Sequence, residues 1–521
     1  MARNTLAPVK TLSKDRMAVT KHNSSARIST IGTLGILAIF AIVIWLRFRS
    51  WAPQLFYGDD LFNYMLYHGD RFQSKWADLF FSESGQKFRF VFSSLMHVEI
   101  ALFGKSTTAY FIVNVAIHAA SSTVLAVLMY RCCENWFVAF ILGVIAATSH
   151  LGLYEVTQAT GQVESLGLFF CTLTMLSVFE WNVAGKKDAS SQRAYKWSAL
   201  LWAFLAFNSH ERYIVLLPWL GLFFVSGKQA GSRKERLIFI GICLLLVATN
   251  FLIKRLVFHS NFFQGTGGQP LGVNFGSIGA LSSEAFLSVI GVNHGPQYLT
   301  GAEWSDFSML VKIMTMLFTG TCLLLITTGM VRRRKVACSE AAPAGWSLYC
   351  AALIVLLLLP AVLTIRMEQR WELGPFFLFL TMVACGFGVL HDQGNRLLAT
   401  YALSLIVAGS VVIESRISRS FDEVAYLSVD RFASEVKHTL VDQQGALRDG
   451  EIVIVADPGY CVGTLLDGGF FLVYGGNYRP VSCAKDIAQA RLEACRSGAR
   501  LFNWTASKTL VELRNACDAN Q

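Results

Sequence analysis

Eleven apolar runs, most of them separated by short polar loops, fix the class of this chain. They fall at 31–46, 107–130, 135–152, 162–182, 195–209, 211–226, 235–257, 308–331, 346–365, 372–391 and 397–414. A helix crossing a bilayer needs about 20 mostly apolar residues, since lipid cannot hydrogen-bond an open backbone. Eleven such helices would use about 220 residues and leave room for loops and one small domain. Apolar residues make up 54% of the 521 and charged residues 15%, with mean hydropathy +0.46. A soluble domain carries about 25% charged residues. A disordered chain, a solenoid of soluble repeats and an ordinary cytosolic enzyme are thereby excluded.

The distribution of charge tests the count of spans. The net charge is +10. Nucleic-acid binding is one reading of such an excess, but here many of the cations sit in short loops between apolar runs, as insertion topology demands. With the N-terminus inside, the even-numbered connections should face the cytoplasm. They hold Arg131; Lys186, Lys187 and Arg193; Lys228, Arg233, Lys234 and Arg236; Arg332, Arg333, Arg334 and Lys335; and Arg396. The outward loop 258–307 has no Lys or Arg. Arg47, Arg49, Arg366 and Arg370 run against the rule, at outer membrane ends, which points to an anion there. A basic arm, 1–27, precedes the first run. A cleavable signal peptide is the alternative for that run; its length, its ending in Trp45-Leu46-Arg47 and the lack of a small-x-small site favour an uncleaved helix. One broken helix over 195–226 is disfavoured, because the basic loops on both sides need two crossings to share a face.

The odd number of crossings places 415–521 outside. This tail reads as a small α/β domain. Ala425, Val429, Phe432, Val436 and Leu440 recur at helical spacing. Glu451–Ala456 and Phe470–Tyr474 read as buried strands, and Asp457-Pro458-Gly459 and Gly475-Gly476-Asn477 as turns. Cys461, Cys483, Cys495 and Cys517 allow one or two disulfides, with three full pairings open; four unpaired thiols are the alternative. The expected fold class is thus an α-helical polytopic membrane protein (28–414, with an outer loop at about 50–106) carrying an extracytoplasmic α/β domain. The expected location is a bacterial inner membrane, with the tail in the periplasm. The Gly-rich stretch 264–274 reads equally as a gate and as a plain connector.

Ionisable groups near spans are costly and mark sites. Here they gather on the outer side: Asp59 and Asp60 after the first helix; Lys87 and Arg89; His97 and Glu99; His150, Glu155, Gln158, Gln162 and Glu164 after the third; His210, Glu211 and Arg212 after the fifth; Arg366, Glu368 and Arg370 after the ninth. Asn114 and His118 lie inside the second span. Helix capping and packing are the bland alternative for each of them. An Asp-Asp pair suits general-base chemistry, one carboxylate taking a proton from an attacking hydroxyl or amide while its neighbour keeps the pKa from falling too low. Helix capping and calcium binding compete for the same pair. Arg89, Arg366 and Arg370 suit bidentate pairing with a phosphate leaving group.

Three stretches carry a family resemblance. The first is Gly58-Asp59-Asp60 with Lys87-Phe88-Arg89, then Phe103-Gly104, Asn114 and His118. The second is His150-x4-Glu155-Val156-x4-Gly161-Gln162-x-Glu164-x-Leu166. The third joins Asn208-Ser209-His210-Glu211 and Pro218 to Glu368-Gln369-Arg370-Trp371. Together they resemble the GT-C-fold integral membrane glycosyltransferases, closest to the mannosyltransferases with transmembrane and tetratricopeptide segments. The chain departs at Phe90 (for Pro), Gln162 (for Arg) and His210 (for Lys), and its tail lacks the repeats. These changes bear on sugar and acceptor more than on fold.

The resemblance implies inverting transfer of a sugar from a polyprenyl-phosphate donor to an extracytoplasmic glycan, lipid or protein acceptor. Asp59 would match the general base and Asp60 would assist it. Arg89 and Arg370 would hold the donor phosphate. His150, Glu155, Gln162, Glu164, His210, Glu211 and Glu368 would line the pocket. No cofactor is expected, and no metal, since few ligands surround the Asp pair. Neither a DxD on an inward loop nor a Gly-rich phosphate loop after a strand is present, so a nucleotide sugar is not expected. A polysaccharide polymerase or ligase would lean on an Arg-rich outer loop, unlike 258–307. A lipid-linked sugar flippase should show related halves and mid-membrane charge.

Overall fold

The computed structural model describes residues 30–68, 89–184, 189–226, 232–256, 275–289, 304–333, 345–363, 368–419, 425–442 and 451–513. The basic arm, Lys87, Arg366, the 264–274 stretch and Cys517 lie outside them.

Every apolar run is helical. Among the described residues seven helices are long and apolar enough to cross a membrane: α1 (Thr30–Phe48), α4 (Thr107–Cys133), α7 (Gln162–Ala184), α10 (Arg233–Leu256), α12 (Met309–Arg333), α14 (Leu373–Asp392) and α15 (Arg396–Ser418). An eighth apolar stretch is α5 (Trp136–Thr148) continued through the His150–Gly152 turn into α6 (Leu153–Thr157), with a bend of 49°. The other three runs give helices that fail on length or polarity. Helix α8 (Ala189–Ser209) carries Arg193 and Lys196 in its first half, α9 (Leu216–Ser226) has 11 residues and α13 (Trp346–Val362) has 17. The chain is a polytopic, α-helical membrane protein.

Burial follows composition. Helix α14 is apolar all round, and every residue from Leu373 to Leu390 is buried, as expected of a helix surrounded by others. It crosses α12 closely because Gly386 lets the Leu325 carbonyl approach; a Cβ there would sit 2.3 Å from that oxygen. Helix α1 is one-sided: Phe40, Ile44 and Phe48 are buried at helical spacing, while Ile31, Leu34, Ile42 and Trp45 are exposed, as lipid-facing residues would be. Gly143 of α5 receives the Phe40 ring.

Two short helices, α2 (Gly58–His68) and α3 (Phe90–Phe103), lie among the described residues between α1 and α4. α11 (Phe275–Val289) lies in the cation-free loop. The tail begins with α16 (Ala425–Val436), in agreement with the spacing of its apolar residues. Its sheet has the order β2-β1-β3-β4, with β1 (Ile452–Val455) parallel to β2 (Val481–Ala484) and β3 (Arg500–Trp504), and β4 (Leu510–Glu512) antiparallel at the edge. All four residues of β1 are buried, which accounts for its unbroken apolar sequence. Helix α19 (Ile487–Ser497) covers one face through Ala490 and Ala494. The opposite face, with Ile452, Ile454 and Phe502, packs in one core with Phe432, Phe470 and Leu61, Tyr64 and Met65 of α2.

Two tail expectations are corrected. Phe470–Tyr474 is not a strand but part of helix α18 (Gly469–Gly475); a short apolar run has no period that separates strand from buried helix. Asp457-Pro458-Gly459 opens helix α17 (Pro458–Leu465), with Pro at the start and the Asp457 carboxylate accepting from the Tyr460 N–H. Cys461 and Cys483 form a disulfide joining α17 to β2, and Cys495 is also disulfide-bonded.

Candidate active site

Gly58 starts α2 at φ +53°, a left-handed conformation that favours glycine. The next two residues diverge in role. Asp60 is buried, and its carboxylate accepts from the Ala159 N–H (2.9 Å), the Thr160 N–H (2.7 Å) and the Thr160 hydroxyl (2.5 Å). It bolts α2 to the turn that opens α7. Burial pushes its pKa up to about 6, against the pull of those three bonds. Asp59 is exposed; its backbone carbonyl accepts from the Asn63 side chain, and its charge reaches Arg370.

Arg89 precedes α3, and its Nε lies 2.7 Å from Glu211. Glu211 opens the turn between α8 and α9. His210 Nδ1 accepts from the Arg212 N–H at 3.1 Å, so Nε2 carries the proton and faces Glu164 at 3.4 Å. Arg212 pairs with the same Glu164. Lys254, near the end of α10, sits by Glu211 and Arg89. Arg370 pairs with Glu368 and lies 4.5 Å over the Tyr154 ring. The Tyr154 hydroxyl is 3.0 Å from that of Thr160, which links this pair to Asp60. Arg212, Arg370 and Arg89 all lie within electrostatic reach of Glu164.

Segments far apart in sequence thus bring Asp59, Asp60, Arg89, Glu164, His210, Glu211, Glu368 and Arg370 into one region. Of the other expected pocket residues, all of them buried, Glu155 and Gln162 lie at its margins. Glu155 lies 4.0 Å from His118 Nδ1. Gln162 donates from Nε2 to both oxygens of Glu99, 2.9 Å each. His150 belongs to a separate group: Glu414 accepts from its backbone N–H and faces its Nδ1 at 2.9 Å, and also pairs with Arg47.

Sequence reasoning left Lys254 and Glu414 off the list. Both are ionisable groups at the end of an apolar run, the signal that should have flagged them. Tyr154 had no signal, because an aromatic in an apolar stretch reads as core.

Burial raises Glu99 to about 7 from 4.5. The native state then binds the proton more tightly than the unfolded chain, so this group's stabilisation is full below about 4.5 and is lost as pH rises to about 7. Asp60 adds the same trend between 3.8 and about 6. Glu99→Gln should therefore flatten the loss of thermal stability between about pH 4.5 and 7 in detergent; equal slopes for variant and wild type would refute the assignment.

No family model matches the chain, and no curated protein matches it. Among solved structures, it is similar to the apo oligosaccharyltransferase of Archaeoglobus fulgidus (12% identity, TM-score 0.48, covering 92% of this chain and 70% of that one). It is also similar to ArnT from Cupriavidus metallidurans bound to undecaprenyl phosphate (9% identity, TM-score 0.45, 92% of this chain and 94% of that one).

Proposed function

We propose that the protein is an inverting membrane glycosyltransferase of the GT-C type, which moves a sugar from a polyprenyl-phosphate donor to an acceptor on the extracytoplasmic face. The observation that carries this reading is the division of labour at the Asp pair: Asp60 is saturated by three hydrogen bonds while Asp59 is exposed beside Arg370.

Asp59 takes the proton from the acceptor hydroxyl or amide as its oxygen or nitrogen attacks the anomeric carbon. The bond from that carbon to the phosphate oxygen breaks, and the polyprenyl phosphate leaves with the electron pair. Attack opposite the leaving group inverts the centre. Arg89 and Arg370 neutralise the departing phosphate, each drawn from a carboxylate partner that already holds its guanidinium in place. Glu164 sets His210 and Arg212 behind them.

The test uses purified protein in liposomes, labelled polyprenyl-phosphate sugars and a mixed acceptor extract, with release of free polyprenyl phosphate as readout. Arg89→Gln should raise the donor KM about tenfold or more, in line with loss of a charge-assisted phosphate contact. Release that is absent from the wild type with every donor, or a donor KM untouched by Arg89→Gln, would count against the reading.

A further inference from the structure

Helix α2 is held from two sides. Asp60 bolts it to the helical body. The other side is the tail domain, which reaches the backbone just before the Asp pair. The Asp430 carboxylate accepts from the Gln54 N–H at 3.2 Å and also from the Leu55 amide. The Tyr474 hydroxyl accepts from the Phe56 N–H at 2.6 Å. Phe56 is 1% exposed, so that amide has no recourse to water. Lys105, ahead of α4, donates to the Val473 carbonyl.

Shape reinforces the bonds. A Cβ on Gly58 would lie 3.6 Å from the Gly463 carbonyl oxygen of α17, and one on Gly469 would lie 2.7 Å from Met65 Sδ. Tyr474 is itself braced by Phe470, ring centroids 4.8 Å apart. The Cys461–Cys483 disulfide ties α17 to the sheet behind it.

We infer that Asp430 and Tyr474 are positioning residues: the tail domain aims Asp59 by fixing the three residues that lead into α2. This rests on the reading of Asp59 as the base. The tail is thereby a wall of the catalytic unit, and α2 can hold its carboxylate in one place only while both bodies grip it.

The test uses the full chain and two readouts. The first is independent of catalysis: a nitroxide on Asp59→Cys, with the spectrum of the parent chain treated with the same label subtracted. The free cysteines among the described residues are all buried and resist labelling. Tyr474→Phe keeps the ring and removes one acceptor; Asp430→Ala removes the other; Asp430→Asn keeps an acceptor oxygen; Glu512→Gln, at the far edge of the sheet, is the control. Faster label motion is expected in Tyr474→Phe and Asp430→Ala, wild-type motion in Glu512→Gln, and intermediate motion in Asp430→Asn, which keeps one acceptor oxygen for two amides. The second readout is transfer with Asp59 intact: kcat should fall about two- to tenfold per lost bond, with the donor KM unchanged and Asp430→Asn restoring part of the rate lost in Asp430→Ala. Unchanged label motion overturns the inference whatever the activity, as does faster motion with undiminished kcat. If the wild type transfers no sugar, the label still reports whether the tail fixes α2, and it is then the functional reading that fails.

Discussion

Asp59→Asn will abolish transfer and leave the protein folded, whereas Asp60→Asn will weaken the fold. The two residues are adjacent and chemically alike, so the contrast isolates their surroundings. Asp59 is exposed, and an amide in its place upsets no buried partner. On the proposed mechanism what is lost is proton acceptance, worth about a hundred- to ten-thousandfold in rate. Asp60 accepts from three donors in a buried site. An asparagine there turns an NH2 group toward at least one backbone N–H, at a cost of about 2–3 kcal/mol for the broken charge-assisted bonds. Thermal unfolding followed by tryptophan fluorescence, paired with initial transfer rates, separates the outcomes. A destabilised Asp59→Asn, or an Asp60→Asn with wild-type melting, would reverse the assignment.

Glu164→Ala carries the second large effect. Glu164 is 2% exposed and serves both Arg212 and His210. Its removal takes the directly paired carboxylate from the Arg212 guanidinium, itself 7% exposed, leaving it the longer-range attraction of Glu155. Breaking a buried ion pair from one side costs about 3–5 kcal/mol, far more than the pair contributes over an apolar replacement, because a charge is left without a counter-ion in a dry setting. Glu164→Ala should therefore yield little folded protein. The double variant Glu164→Leu with Arg212→Leu should recover much of the lost stability, while donor turnover stays low because His210 has lost its acceptor. A single variant melting within about 2 °C of wild type would mean that Arg212 finds another partner or solvent.

The helical body was legible in the sequence because lipid leaves no alternative for a long apolar run, and each predicted run is a helix. Its ends were less so. The run predicted over 135–152 ends at Thr148 and bends, since Ser149 turns its side chain to cap the next residues, accepting from the Leu151 N–H. In the tail, β1 was legible from its unbroken Ile and Val, but Phe470–Tyr474 was not, because five apolar residues suit a helix and a strand equally. At the site, the residue types were legible, and the structure brings eight of the eleven candidates together. The pairing was hidden. Nothing local distinguishes Asp59 from Asp60; the difference comes from Thr160, a hundred residues away. His150 satisfied the motif as well as Glu164 did, yet Glu414 of the last long helix claims it. Asp430 and Tyr474 looked like ordinary domain residues until their partners, three backbone amides before the Asp pair, were in view.

On the proposed mechanism one carboxylate, Asp59, removes a proton during displacement at an anomeric carbon. The most direct measurement is single-turnover transfer from a donor of known anomeric configuration, comparing wild type and Asp59→Asn at saturating donor, with the product's configuration read by NMR. The account predicts an inverted product from the wild type, and from Asp59→Asn a protein that binds donor normally but forms product at least about a hundredfold more slowly. A retained configuration, or an Asp59→Asn variant that turns over at the wild-type rate, would contradict it.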